Sequence, residues 1–124
     1  MFHGNNKLTV EKLFEDNRRK LQLELIKGGS GLNRIITEKD IHRPGLALAG
    51  FVELFTYHRV QVLGNTETLY LKKLNAEERL NTLEQIFQFE IPCFIITNNN
   101  LLPEDMYKLS DKKQVPLIRT PLST

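Results

Sequence analysis

Arg43 stands in the run Ile41-His42-Arg43-Pro44-Gly45, immediately before a proline of the kind that opens helices. A guanidinium there can assist an anion held by the first, unpaired backbone N–H groups of the helix. The same side chain can equally pair with a nearby carboxylate in an ordinary turn. A second run, Gly64-Asn65-Thr66-Glu67, joins the end of an apolar stretch to a helical one. In open α/β sheets that junction is a common place for a ligand, although Asn65 could simply cap the helix. Thr97 and Asn98 close a later apolar run and would fall on the same edge. The candidate binding set is therefore Arg43, Gly64, Asn65, Thr66, Glu67, Thr97 and Asn98, suited to a small phosphorylated or nucleotide-sugar ligand.

Other chemistry lacks its residues. A phosphate-binding loop of the nucleotide-triphosphate type needs glycines followed directly by Lys and then Ser or Thr, and no Gly in this chain precedes a Lys. Gly29-Ser30-Gly31 resembles the start of a dinucleotide fingerprint, but Arg34 occupies the place of its third glycine and no helical pattern follows. A turn is the expected reading. His3, His42 and His58 are too scattered for a helical metal pair, and Cys93 has no second Cys. Ser30, Ser110 and Ser123 lack the setting of an activated nucleophile. No catalytic residue, metal site or cofactor is expected in this chain.

The elements that must position the candidate residues are legible from periodicity. Thr9 caps a first helix stapled by Leu8 and Leu13, with Val10, Leu13, Phe14 and Leu21 recurring at roughly helical spacing and Arg18, Arg19 and Lys20 closing it. Leu21, Leu23 and Leu25 alternate with polar residues as in a half-buried strand, Gly28-Gly29-Ser30-Gly31 turns the chain, and Ile35-Ile36-Thr37 is the expected return strand of a hairpin. Pro44 opens a short helix that Gly50 can close. From Arg59 onward, apolar strands alternate with helices: strand 59–63, a helix from Asn65 to Leu71, a second opened by the Asn75/Glu78 capping box with Leu80, Leu83, Ile86 and Phe87 on its core face, strand 93–97, a helix from Pro103 ending in Lys112 and Lys113, and strand 117–119. The fold class is α/β: a small three-layer-like domain built on a mainly parallel βαβαβ sheet, with an N-terminal helix plus hairpin. Phe51, Phe55 and Tyr57 are either core or part of an interaction surface.

At 124 residues, 40% hydrophobic and 26% charged, the chain suits one folded domain over residues 8–124, preceded by a polar, disordered or tag-like 1–7. A net charge of +2 is far below what phosphate-backbone binding requires, so nucleic acid is not an expected partner. No apolar run approaches membrane-spanning length and residues 1–7 do not form a secretory signal, which makes the cytoplasm the expected compartment.

One ordered set of residues carries a family resemblance. Thr37, Asp40-Ile41, Arg43-Pro44-Gly45-Leu46 and Leu48-Ala49-Gly50-Phe51 are followed by Arg59-Val60-Gln61-Val62-Leu63-Gly64, Thr66-Glu67 and Tyr70-Leu71. Ile91 to Thr97 and Val115 to Leu122 continue the series. From about Leu8 to Thr124 the chain resembles the N-terminal domain of HPr kinase/phosphorylase, with Asn98-Asn99-Asn100 departing from the Arg or Gly expected after this Thr. The resemblance implies a fold similar to the N-terminal domain of muramyl ligases. It also implies a parent that phosphorylates a serine of the phosphocarrier HPr and reverses the reaction by phosphorolysis, in carbon catabolite regulation. The kinase domain, with its ATP and magnesium, would lie beyond Thr124, and the full-length family is hexameric. On this basis the chain is expected to be a non-catalytic regulatory or assembly domain of a homo-oligomeric enzyme whose partner is HPr. The alternative is a stand-alone sensor using the strand-end edge.

Overall fold

The computed structural model describes residues 8–38, 40–53 and 55–124. The expectation for residues 1–7 lies outside them. Strand β1 (Leu8–Thr9) runs directly into helix α1 (Val10–Asn17), and the Thr9 hydroxyl accepts the Lys12 N–H at 3.1 Å, the cap its position promises. Strand β2 (Glu24–Lys27) follows, then a single 3-10 turn at Gly29–Gly31, then two-residue strands β3 (Ile35–Ile36) and β4 (Ile41–His42). A short helix α2 (Gly45–Leu48) leads to β5 (Val60–Leu63), and α3 (Asn65–Lys73) and α4 (Ala76–Ile86) lead to β6 (Phe94–Ile96). Helix α5 (Glu104–Lys113) then delivers the chain to β7 (Leu117–Arg119).

Five strands form one sheet in the order β2-β7-β6-β5-β4, with β4 to β7 mutually parallel and β2 antiparallel at the edge. The α/β class expected from the alternating pattern is the one observed. Because β4, β5, β6 and β7 follow one another across the sheet, every crossover steps in the same direction. Helices α2 to α5 accordingly share one face, where Leu48, Leu71, Leu83, Ile86 and Met106 pack on Leu63, Phe94, Ile96 and Leu117. The opposite face carries α1 and the small β1–β3 ladder, with Val10, Phe14 and Ile36 packed on Val60, Cys93 and Ile118. Three layers result. Among the described residues no helix is long and apolar enough to cross a membrane.

The sequence predicts a hairpin joining Leu21–Leu25 to Ile35–Thr37, and the structure separates those strands. β2 pairs with β7, while β3 pairs with β1. The glycine turn is the reason. Gly28 has φ +73°, and a Cβ placed on it would lie 2.1 Å from the Val115 carbonyl oxygen, so the turn is wedged under the α5–β7 connection instead of folding β2 back on β3. The Gly28 N–H donates to Asp111 Oδ1 at 2.7 Å, which fixes the wedge. Gln22, at φ 53°, also ends the Leu21–Leu25 alternation as a single strand, leaving only its second half in the sheet.

Candidate functional site

The carboxyl edge of the sheet brings the seven candidate residues together. β5 ends at Leu63, and Gly64 turns the chain into α3. Glu67, in the first turn of that helix, is almost fully buried, and its Oε1 accepts the Gly64 N–H at 2.7 Å and an Arg43 Nη2 N–H at 2.9 Å. The bond from Gly64 is the half of a capping box available to a glycine N-cap, which has no side chain to return it. Asn65 is therefore the first helical residue and not the cap. Its side-chain oxygen instead accepts from Asn100 Nδ2 at 2.9 Å, tying α3 to the loop after β6, and Thr66 lies exposed beside it.

On the neighbouring strand, Thr97 is buried, its N–H donating to the Leu63 carbonyl at 3.1 Å and its hydroxyl lying 2.6 Å from the hydroxyl of Thr124. Asn98 Nδ2 sits 3.4 Å from the same Thr97 hydroxyl. Sequence reasoning misses Thr124, Asn99 and Asn100, all of which belong to this edge. The Asn tract holds the one available signal, because Asn is the residue, after Gly, that best accepts a left-handed backbone. Asn98 and Asn99 adopt it at φ 57° and 52°.

The electrostatics of the edge are closed internally. A helix N-terminus attracts a negative group, and at α3 the carboxylate of Glu67 already supplies it. The cation that would assist an outside anion, Arg43, is engaged with that carboxylate. Among the described residues the four parallel strands β4 to β7 wind in one sense, so between them there is no point at which crossovers diverge to opposite faces and open a crevice. What remains is a set of hydroxyls, amides and one ion pair. Among the described residues no group of three or more His, Cys, Asp and Glu could hold a metal ion. Cys93 is buried, and burial pushes its thiol up to about 12, so it is an inert core group.

Away from the edge, the three aromatic candidates divide. Phe55 is buried, edge-on to Phe89 with ring centroids 5.1 Å apart, whereas Phe51 and Tyr57 are exposed. Gln61 is wholly buried in β5, and its amide nitrogen donates to the Thr56 and Arg59 carbonyls at 3.0 and 2.8 Å. It organises the loop before the strand.

The family described as HPr Serine kinase N terminus matches residues 8–124. The HPr kinase/phosphorylase of Chloroherpeton thalassium is 44% identical over 123 residues, which cover 94% of this chain and 35% of that protein. Those of Chlorobium phaeovibrioides and Brevibacillus brevis are 41% and 39% identical, covering 91% and 82% of this chain and 35% and 33% of theirs. The chain thus spans about a third of the length of these curated relatives. In fold it is similar to the CBS and DRTGG domains of the regulatory region of Clostridium perfringens pyrophosphatase, solved with diadenosine tetraphosphate, at a TM-score of 0.58 over 89% of this chain and 41% of that one. Sequence identity there is 12%, so the likeness is one of architecture. The match over residues 8–124, with relatives at 39 to 44% identity, makes this chain a member of the HPr serine kinase N-terminal family.

Proposed function

We propose that the chain is the non-catalytic, regulatory or assembly part of a bifunctional HPr kinase/phosphorylase acting in the cytoplasm. The observation that carries the reading is the ordered match of nearly the whole chain to about a third of relatives named for that activity. The parent would phosphorylate a serine of HPr and reverse the reaction by phosphorolysis. Two features of the chain support a supporting role. Its residues include no Gly followed by Lys, the minimum for a loop that wraps a nucleotide's phosphates. The polar cluster at its strand-end edge is the Arg43–Glu67 ion pair on a helix N-terminus, without a nucleophile beside a base. ATP and magnesium belong, on this reading, to the remainder of the parent, as does the contact with HPr serine. The sensor reading is not favoured, since Glu67 and Arg43 neutralise each other where a phosphorylated ligand would need free positive charge.

The test is phosphoryl transfer. Purified chain mixed with HPr and labelled ATP–magnesium is expected to leave HPr unlabelled, while the genomic reading frame is expected to continue past Thr124 into a Gly-x-x-x-x-Gly-Lys-Ser or -Thr sequence. Labelling of HPr clearly above a contamination control would end the non-catalytic assignment. A frame that stops at Thr124 would end the parent-enzyme assignment.

A further inference from the structure

After β7 the chain does not leave the domain. It crosses the carboxyl edge of the sheet and is held there by five contacts. The Asn98 N–H donates to the Leu122 carbonyl at 2.8 Å and the Asn99 N–H to the Thr120 carbonyl at 3.0 Å. The Thr120 N–H donates to the Ile96 carbonyl at 2.8 Å and its hydroxyl to the Leu21 carbonyl, the Thr124 hydroxyl meets that of Thr97, and within the segment the Thr120 hydroxyl accepts the Leu122 N–H at 3.2 Å. The two Asn bonds depend on consecutive left-handed residues, a conformation that aims neighbouring N–H groups towards one side and that most side chains resist. Beside the segment lies an open groove of about 230 Å³, lined by Leu21, Leu23, Val62, Ile95 and Leu122 among others.

Gly64 links this segment to the ion pair. A Cβ built on Gly64 would lie 2.6 Å from Arg43 Nη2 and 2.8 Å from Thr124 Oγ1, so the end of the Arg43 guanidinium and the Thr124 hydroxyl converge on the same bare Cα. We propose that residues 120–124 form a docked strap whose seating is coupled, across Gly64, to the Arg43–Glu67 pair at the start of α3. Lifting the strap uncovers the two Asn amides and the Thr97 hydroxyl together, which favours two discrete positions over gradual sliding. The strap is a property of these 124 residues. Its use as a relay into a following domain rests on the function proposed above.

Amide hydrogen exchange followed by NMR on the whole chain tests the device without HPr or ATP, so its failure and a failure of the kinase reading are distinguishable. In the unsubstituted chain, the Asn98 and Asn99 amides are expected to be protected although both residues are exposed; exchange at free-peptide rates would overturn the strap. Gly64→Ala is expected to speed both by about tenfold or more, while the Phe94 amide, bonded to the Pro116 carbonyl inside the sheet, keeps its protection. Unchanged exchange at both Asn residues would overturn the coupling. If Gly64→Ala also loses protection at Phe94, Thr124→Val decides, because it removes only a terminal hydroxyl. An acceleration of about threefold at Asn98 and Asn99 supports the strap, and no change refutes it.

Discussion

A buried carboxylate must be answered by donors, and Glu67 receives them from the backbone of Gly64 and the side chain of Arg43, residues that are distant in sequence in the second case. The sequence shows both partners as candidates but leaves two uses of Arg43 open. Only the packing of the β4–α2 junction against α3 decides for the ion pair. His42, next to Arg43, has a consequence of its own. Burial, and then the charge of Arg59, lower its pKa below the ordinary 6.5, and its ring lies 5.8 Å from that of Phe55. Well above pH 6.5 it is neutral in both folded and unfolded chains and contributes no pH dependence. As pH falls below that value the unfolded chain takes up the proton first, so stability is lost until the folded His42 also titrates. Urea denaturation between pH 7.5 and about pH 5 is expected to show a falling midpoint whose slope is shallower in His42→Phe. Equal slopes in the two proteins would remove His42 as the cause.

At the scale of elements, helices were far easier to read than strand partners. The Thr9 cap and the Asn75/Glu78 box appear where local side-chain chemistry places them, with Asn75 Oδ1 accepting the Glu78 N–H at 2.8 Å. Periodicity over-reaches at Leu80, which is 41% exposed and so stands off the core face assigned to it, and at Leu21, which lies beyond the end of α1 at Asn17. Strand pairing depends on what lies across the sheet, which no local pattern encodes. That is why Leu21–Leu25 suggested a hairpin and why β4, two residues long with Ile41 exposed, left no periodic trace. The wedge at Gly28 gives the difference an energetic test. Gly28→Ala must place a side chain at positive φ and against the Val115 backbone, costs that together come to ~3 kcal/mol or more. A large drop in urea midpoint with an unchanged m-value is the expected result. A loss below about 0.5 kcal/mol would mean that the turn relaxes freely and does not set the β2–β7 pairing.

For the molecule as a whole, the two apolar clusters lie on opposite faces of the same strands. β5 sends Val60 to one and Leu63 to the other, and β7 divides Ile118 and Leu117 in the same way. Neither layer can be stripped without exposing the other's floor, so unfolding is expected to be a single transition. The chain's three tyrosines, Tyr57, Tyr70 and Tyr107, all lie outside the α1 layer, and their fluorescence should lose its native signal at the denaturant concentration at which the Val10 and Phe14 amide resonances disappear. An earlier loss at Val10 and Phe14 would show α1 and the β1–β3 ladder peeling away by themselves. The α/β class and the clustering of the candidate residues at one edge were both accessible from alternation of strands and helices. The single sense of winding was not, because it depends on which neighbour each strand selects.

The burial of Cys93 reaches beyond stability. It is the chain's one cysteine, wholly enclosed and held as a neutral thiol at physiological pH. A maleimide probe or nitroxide label attached through an introduced surface cysteine would therefore report from the chosen position alone, with no need to remove the native sulfur first.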